Sequence, residues 1–277
     1  MAKILDGRLV QTEIKKTLIA TRRSLLFEPQ LVIVQVGDRP ESNLYIERKR
    51  QFGEQIGVKV TVTRYAATIT ETELIPVIKN FNADTAVQGI IVQLPLPPSF
   101  PPARILNAVD PVKDVDGLSA GSDFQPATAR AVLTLLNYYR FPLAGREVVV
   151  VGRSALVGKP IALACLNAGA TVTICHRQTK NLSAVTERAA ILITAAGMRG
   201  LITKKHVCGG QVVIDVGINV IAGAKRKIVG DVAFAEVAKI VRAISPVPGG
   251  IGPLTIACLF ENLLAACKIR KPARDIF

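Results

Sequence analysis

Apolar and polar positions along this chain fall into blocks of two kinds. Short, nearly continuous apolar runs at residues 31–36, 58–65 and 87–94 are separated by longer stretches whose apolar residues recur every three or four positions. The first kind predicts buried strands and the second predicts amphipathic helices. The first half therefore reads as a helix over 8–24, with Leu9, Ile14, Leu18 and Ile19 on one face, and a strand over 31–36 closed by Gly37-Asp38. A helix over 42–57 follows Pro40, then a strand over 58–65, a helix over 70–80 that contains Pro76, and a strand over 87–94 ending in Pro95-Leu96-Pro97. A polar loop over 110–117 carries three acids, 119–126 reads as a flexible connector, and 129–139 as a helix.

The second half repeats the alternation: a strand over 147–151, a helix over 160–169, a strand over 171–175, a helix over 182–190 and strands over 191–195 and 212–216. A helix over 232–241, a rigid Pro/Gly turn over 245–253 and a last apolar helix over 254–267 complete it. Strand and helix in alternation predict parallel α/β layers. No internal repeat at a regular period is visible.

The stretch Val148-Val-Val-Val151-Gly152-Arg153-Ser154-Ala-Leu-Val-Gly158-Lys159-Pro160 is the most informative. Four valines suit a strand covered on both faces. Gly152 lets the chain turn sharply, Gly158 lets helix and strand approach, and Pro160 suits a first helical turn. The N–H groups of such a helix start attract phosphate oxygens. The usual G-x-G-x-x-G pattern is absent, because Ser154 stands at the second glycine and the third comes one residue late. A strand-Gly-x-Ser-helix turn alone serves equally as a plain connection. The second strand of the βαβ unit weighs against that reading. It ends in His176, Arg177 and, further on, Lys180, where an NAD-binding fold would carry an acid for the ribose hydroxyls. With Arg153 in the turn, the pattern predicts a site for the 2′-phosphate of NADP.

Composition narrows the picture. In 277 residues, 49% hydrophobic and 20% charged, one large or two modest folded domains fit. The longest apolar runs are shorter than the roughly 18–20 residues a bilayer span needs, and Asp6 interrupts any secretory signal, so no membrane association is expected. Five cysteines without a C-x-x-C pair and two histidines argue against a disulfide framework or a metal cluster and for a reducing cytoplasm. The net charge of +14 is spread over short clusters, Lys15-Lys16, Arg22-Arg23, Arg48-Lys49-Arg50, Lys204-Lys205 and Lys225-Arg226-Lys227, without a tail or interleaved aromatics. Such clusters suit solvated faces or attraction of anionic small molecules, and no nucleic-acid partner is expected.

Candidate chemistry lies in the first half. Tyr45 and Lys49 share a helix face, and two readings are open: an acid/base pair, or amphipathic packing with a snorkelling lysine. Gln93 ends a strand at the edge where open α/β sheets bind ligands, and could equally tie down its own loop. Asp114 and Asp116 could orient a heterocycle's amino group or cap turns. With so few histidines, no Ser-His-Asp set can be assembled. A short-chain dehydrogenase also uses Tyr-x-x-x-Lys, but there the nucleotide turn precedes the pair, and here it follows.

As a set these residues resemble one family, the bifunctional methylenetetrahydrofolate dehydrogenase/cyclohydrolases of one-carbon metabolism. The segments that carry the resemblance are Val36-Gly37-Asp38 with Ser42, Tyr45 and Lys49; Val92-Gln93-Leu94-Pro95-Leu96-Pro97; Lys113-Asp114-Val115-Asp116-Gly117; residues 151–160; 171–176; 213–219; Gly230-Asp231-Val232; and Pro246-Val-Pro-Gly-Gly-Ile-Gly-Pro253. The resemblance implies an α/β fold of two domains with a cleft between them. A parallel α/β catalytic domain would comprise residues 1–127 with 251–277, and a Rossmann-like NADP-binding domain 128–250. It implies that Lys49 is the central acid/base group, with Tyr45 and Gln93 positioning it and Asp116 holding the pterin-like ring. Val92, Leu94 and the turn Pro248, Gly249, Gly250, Ile251, Gly252 would line the folate site. Gly152, Arg153, Ser154, Gly158, Arg177 and Ile218 would form the NADP site, with no metal. The implied reaction oxidises 5,10-methylenetetrahydrofolate to the methenyl compound and hydrolyses it to 10-formyltetrahydrofolate, which feeds purine biosynthesis, in a homodimer. Two departures stand out. Residues 118–123 replace a longer family loop, and Pro126-Ala127-Thr128-Ala129 lacks the Cys and second Pro usual there, so a dehydrogenase with weakened cyclohydrolase is the alternative.

Overall fold

The structure, a computed structural model, describes residues 1–221 and 227–269; Lys225 and Arg226 of the last basic cluster and positions 270–277 of the expected catalytic domain lie outside the described residues. The chain forms two compact units, one of Glu13–Ala127 with the segment from Ile256, the other of Met1–Thr12 with Thr128–Thr255. The second unit thus takes residues 1–12 and 251–255, which the sequence reading assigned to the first. A short strand unseen in the sequence, Lys3–Ile4, explains the N-terminal part, since it pairs in parallel with Ala243–Ile244, and the Leu5 N–H donates to the Ile244 carbonyl at 2.9 Å.

In the first unit a three-stranded parallel sheet runs in the order Lys59–Tyr65, Gln30–Val36, Gly89–Val92. Leu31 to Val34 and Ile90 are fully buried, as continuous apolar strands between helices require. Ile90 also bridges in parallel to Asp114, and the chain turns directly after it, the Gly117 N–H donating to the Asp114 carbonyl at 3.0 Å, with Asp116 in that turn. The helix Pro40–Gln55 starts with its proline in the first turn. The helix Glu71–Ala83 runs through Pro76, held by a Thr70/Glu73 capping box and by buried Leu74 and Ile78. A short helix, Pro102–Leu106, was hidden in the sequence by its prolines.

The helix Ile251–Ile269 begins three residues before the position expected, with Pro253 in its first turn. It is long and apolar enough to cross a membrane, contrary to the run-length reading, but 67% of its most apolar window is buried within the protein, which makes it a core helix. Phe260 meets Phe52 with ring centroids 5.4 Å apart. Leu263 packs where a side chain on Gly89 would otherwise stand.

The second unit holds a six-stranded parallel sheet in the order Lys3–Ile4, Ala243–Ile244, Val212–Asp215, Ile191–Thr194, Glu147–Val151, Thr171–Cys175. The chain reverses its direction of travel at Glu147–Val151, the topological switch point where doubly wound sheets bind nucleotides outside the carboxyl ends of the strands. The helix expected over 232–241 shrinks to Phe234–Val237, because Val232 bridges to Ile202 and the Ala233 N–H donates to the Ile202 carbonyl. The helix expected over 182–190 likewise ends at Thr186. An antiparallel hairpin, Asn219–Ile221 with Lys227–Val229, was not foreseen.

Candidate active site

In the first unit Lys49 reaches inward from its helix and is 8% exposed. Its Nζ donates to Gln93 Oε1 at 3.1 Å, and the Gln93 amide nitrogen donates to the Leu94 carbonyl at 2.8 Å. Gln93 therefore ties its own loop, one of the two readings the sequence left open, and its side-chain oxygen also accepts from the Lys49 amine. Its backbone N–H, bonded to the Val34 carbonyl at 2.8 Å, fixes it at the sheet edge just after Val92. The Leu94–Pro95 bond that follows is cis. Burial pushes the Lys49 pKa down, partly offset by the Asp116 carboxylate. Burial raises the Asp116 pKa in turn, with the Lys49 charge opposing and Asp114 reinforcing. A buried amine and a half-buried carboxyl, each shifted toward its neutral form, are a functional-site signature.

Tyr45 lies one turn before Lys49, half-buried, with its phenol pKa raised by burial and the Arg48 guanidinium 5.9 Å from its ring. The snorkelling reading for Lys49 is overturned by its burial.

Asp114 is a structural anchor. Its carboxylate accepts from the N–H of Gly117 at 3.1 Å and from the N–H and hydroxyl of Ser119 at 2.7 Å each. Gly117 has φ 73°, and a Cβ there would strike the backbone of residues 124–126. The connector expected to be flexible is pinned: the Ser122 hydroxyl donates to the Asp114 carbonyl, the Ala120 N–H to Asn107, and buried Asn262 donates to the carbonyls of Val115 and Gln125. Lys113, fully buried, donates to the carbonyls of Phe81 and Asp84 at the end of the helix Glu71–Ala83. Sequence reasoning missed Lys113 and Asn262 as anchors, because a lysine and an asparagine in polar or helical stretches look solvent-facing.

In the second unit Gly152 sits at φ 129° against the Ala195 carbonyl, and a Cβ on Gly158 would strike the Gly152 carbonyl. The Ser154 hydroxyl accepts from the N–H groups of Val157 at 3.2 Å and Gly158 at 3.3 Å, capping the helix Gly158–Asn167. Val151 pairs with Cys175, and the Gly152 N–H donates to the Cys175 carbonyl, so exposed Arg153 and Arg177 follow adjacent strand ends. These features fit a dinucleotide phosphate: a turn too tight for side chains, a helix start at the switch point and two cations without an intervening acid. Ile218 is 46% exposed beyond the end of Val212–Asp215. The turn Pro248 to Gly252 belongs to this unit as far as Thr255, with a cis Val247–Pro248 bond, and Ile251 and Gly252 open the last helix rather than lying in the turn. Gly249, at φ 113°, accepts from the Gly7 N–H at 2.8 Å.

A doubly wound nucleotide fold in one unit and a buried amine with a half-buried carboxyl acting on it in the other define a two-domain, dinucleotide-dependent enzyme. Comparison with known proteins names the group. Residues 5–116 match the model of the tetrahydrofolate dehydrogenase/cyclohydrolase catalytic domain, and residues 126–271 that of the same family's NAD(P)-binding domain. The bifunctional protein FolD 2 of Lactobacillus johnsonii is 41% identical over 274 residues, 95% of this chain and 96% of that one. The crystal structure of the FolD methylenetetrahydrofolate dehydrogenase/cyclohydrolase of Campylobacter jejuni superposes with a TM-score of 0.93 at 40% identity, covering 98% of this chain and all of that one. The Trypanosoma brucei enzyme, solved with NADP and an inhibitor, gives a TM-score of 0.91 at 32% identity and covers 98% and 99%. The chain belongs to the tetrahydrofolate dehydrogenase/cyclohydrolase family. Its activity is methylenetetrahydrofolate dehydrogenase and cyclohydrolase chemistry in one-carbon metabolism, with NADP as cofactor.

Proposed function

We propose that Lys49, Tyr45, Gln93 and Asp116 carry the folate chemistry and that Gly152, Arg153, Ser154, Gly158, Arg177 and Ile218 hold NADP. The buried Lys49–Gln93 contact, with Asp116 acting on the same amine, is the observation on which this rests. NADP, when bound, supplies the hydride acceptor for the methylene carbon. The residues of the chain orient and exclude water in that step, and Asp116 faces the ring nitrogens of the pterin-like system with its carboxyl. In the second step the neutral Lys49 amine takes a proton from the water that adds to the methenyl carbon. The resulting ammonium, held by the Gln93 oxygen, returns that proton to the ring nitrogen as its bond to the former methenyl carbon breaks, and the added hydroxyl gives up its own proton to solvent as it becomes the formyl carbonyl, so that the methenyl cation and water leave 10-formyltetrahydrofolate and one proton. Tyr45, one turn before Lys49 and half-buried, narrows the access of water to that helix face. Val92 and Leu94 line the folate in the first unit. Retention of the buried Lys49 supports both activities over the dehydrogenase-only alternative, despite the shortened connector.

The direct test is the purified chain with tetrahydrofolate, formaldehyde and either nucleotide. NADPH and the methenyl product should appear together, with the formyl product following, and absence of nucleotide reduction would refute the reading. For cofactor choice, Arg177→Ala should weaken NADP by about tenfold or more, the worth of a charge-assisted bond to phosphate, and leave NAD nearly unchanged. Equal loss of both would contradict the 2′-phosphate role.

A homodimer is also proposed. Thr171–Cys175 is an edge strand of the large sheet, and Ile174 on it and Leu163 and Leu166 on the helix Gly158–Asn167 packed against it are apolar residues left 40–57% exposed. An open edge with such a face suits isologous pairing with a second copy. Light scattering should give twice the chain mass and Ile174→Arg the monomer; a monomeric wild type would dismiss it. A cytoplasmic setting, with the formyl product drawn into purine biosynthesis, is supported by five cysteines present as thiols, four of them buried.

A further inference from the structure

Behind the nucleotide edge of the second unit lies a pair of buried carboxylates, Asp215 and Asp231, that the chemistry above does not use. Asp231 is fully buried and Asp215 is 4% exposed. The Asp215 carboxylate accepts from the N–H groups of Gly217 at 2.9 Å, Asp231 at 3.1 Å and Val232 at 2.9 Å, and from the Thr194 hydroxyl at 3.0 Å. Asp231 uses one oxygen for the N–H groups of Ala196 at 2.7 Å and Gly197 at 3.0 Å, and the other for the Asn219 side-chain amide at 2.9 Å. The two acids cross-brace, for Gly217 lies against the Asp231 carboxylate and Gly230 against that of Asp215, leaving no space for a side chain at either glycine.

Burying a carboxylate is costly unless several donors satisfy it, so the placement of the donors shows what each acid holds. Asp215 serves its own turn and the segment packed on it. Asp231 reaches two separate segments, Ala196-Gly197 after the strand Ile191–Thr194, and Asn219 after Val212–Asp215. The first adjoins Ala195, whose carbonyl Gly152 packs against. The second adjoins Ile218, an isoleucine left 46% exposed. Were Arg153 and Arg177 to draw the 2′-phosphate toward Thr171–Cys175, the opposite end of the dinucleotide would run over the ends of Ile191–Thr194 and Val212–Asp215, on the other side of the switch point.

We propose that Asp231 is a positioning residue for the nicotinamide end of NADP, holding the Ala196-Gly197 loop with one oxygen and the Ile218-Asn219 segment with the other. This rests on the reading of the Gly152 turn as an NADP site. It assigns Asp231 no contact with substrate or cofactor.

The test compares Asp231→Ala, Asp231→Asn and Asn219→Ala in the full chain. It reads direct NADP titration without folate, KM against kcat in the dehydrogenase assay, nucleotide-free hydrolysis of methenyltetrahydrofolate, and hydrogen exchange of the Ala196 and Gly197 amides without cofactor. Asp231→Ala should weaken NADP about tenfold or more, raise its KM in parallel and speed exchange at both amides, since two buried N–H groups lose their acceptor. Asp231→Asn should recover most of the affinity, because its carboxamide oxygen still accepts both amides and Asn219 can turn to receive its NH₂. Asn219→Ala, which loses one bond, should cost about three- to fivefold in affinity with the exchange unchanged. Hydrolysis, whose groups lie in the first unit, should stay within about twofold throughout. Wild-type NADP affinity in folded Asp231→Ala overturns the proposal, as does wild-type affinity in Asn219→Ala should the first variant not fold. A wild-type chain that binds no NADP would instead sink the site reading beneath it.

Discussion

Lys49→Met is expected to slow hydrolysis of methenyltetrahydrofolate by about 10²–10⁴-fold, the usual worth of a positioned acid/base group, while NADP binding is retained. Methionine keeps most of the length and the apolar stem of the lysine and removes only the amine, so the packing around a position 8% exposed survives. The sign of the pH dependence follows from the same site. Hydrolysis needs the neutral amine, and burial lowers the Lys49 pKa, so the acid limb of kcat/KM falls below the ordinary lysine range. Asp116 favours the ammonium and holds that limb up. Asp116→Asn should therefore move it further toward acid, besides weakening the folate. A methionine variant that hydrolyses at the wild-type rate would remove Lys49 from the mechanism. An acid limb that moves toward alkaline pH in the asparagine variant would show that the two groups are not coupled as described.

How far this site could be read beforehand differs between its parts. The buried strands of both sheets were legible because apolar runs bounded by glycine and proline have few other uses, and the Gly152 turn because strand, glycine and helix start sit in one continuous stretch. Tyr45 and Lys49 were visible as a pair from their spacing, but spacing cannot tell a buried amine from a snorkelling one. That distinction needed Gln93 and Asp116, which the parallel register of Gly89–Val92 with Gln30–Val36 and the bridge from Ile90 to Asp114 bring to one edge. Asp231 and Lys113 were opaque for the opposite reason. Each satisfies backbone groups far away in sequence, Ala196 and Gly197 in one case and Phe81 and Asp84 in the other, and such bonds leave no periodic trace. The short edge strand Lys3–Ile4, at two residues, is below the length at which alternation can be seen, which is why its pairing with Ala243–Ile244 left no trace in the sequence.

Gly158→Val should disable the dehydrogenase by roughly a hundredfold or more in NADP affinity and destabilise its unit by about 1–3 kcal/mol, the usual cost of overpacking. The reason is that both sides of the contact are backbone. A Cβ at Gly158 would run into the carbonyl of Gly152, and Gly152 cannot retreat, because at φ 129° it already lies against the Ala195 carbonyl. The helix must then lift away from the strand, carrying with it the Val157 and Gly158 amides that Ser154 caps and the phosphate-facing helix start. Gly158→Ala meets the same carbonyl with less bulk and should move the same quantities by less. Nucleotide-free hydrolysis should persist in both, since Lys49, Gln93 and Asp116 belong to the other unit. Calorimetric titration with NADP, thermal unfolding and the hydrolysis assay measure the three effects separately. Wild-type NADP affinity in the valine variant would show that the turn merely connects strand to helix. Set beside Lys49→Met, which should spare NADP binding and slow hydrolysis, this variant should do the reverse, and only a chain whose nucleotide site and hydrolytic groups are distinct can lose NADP binding and hydrolysis in both orders.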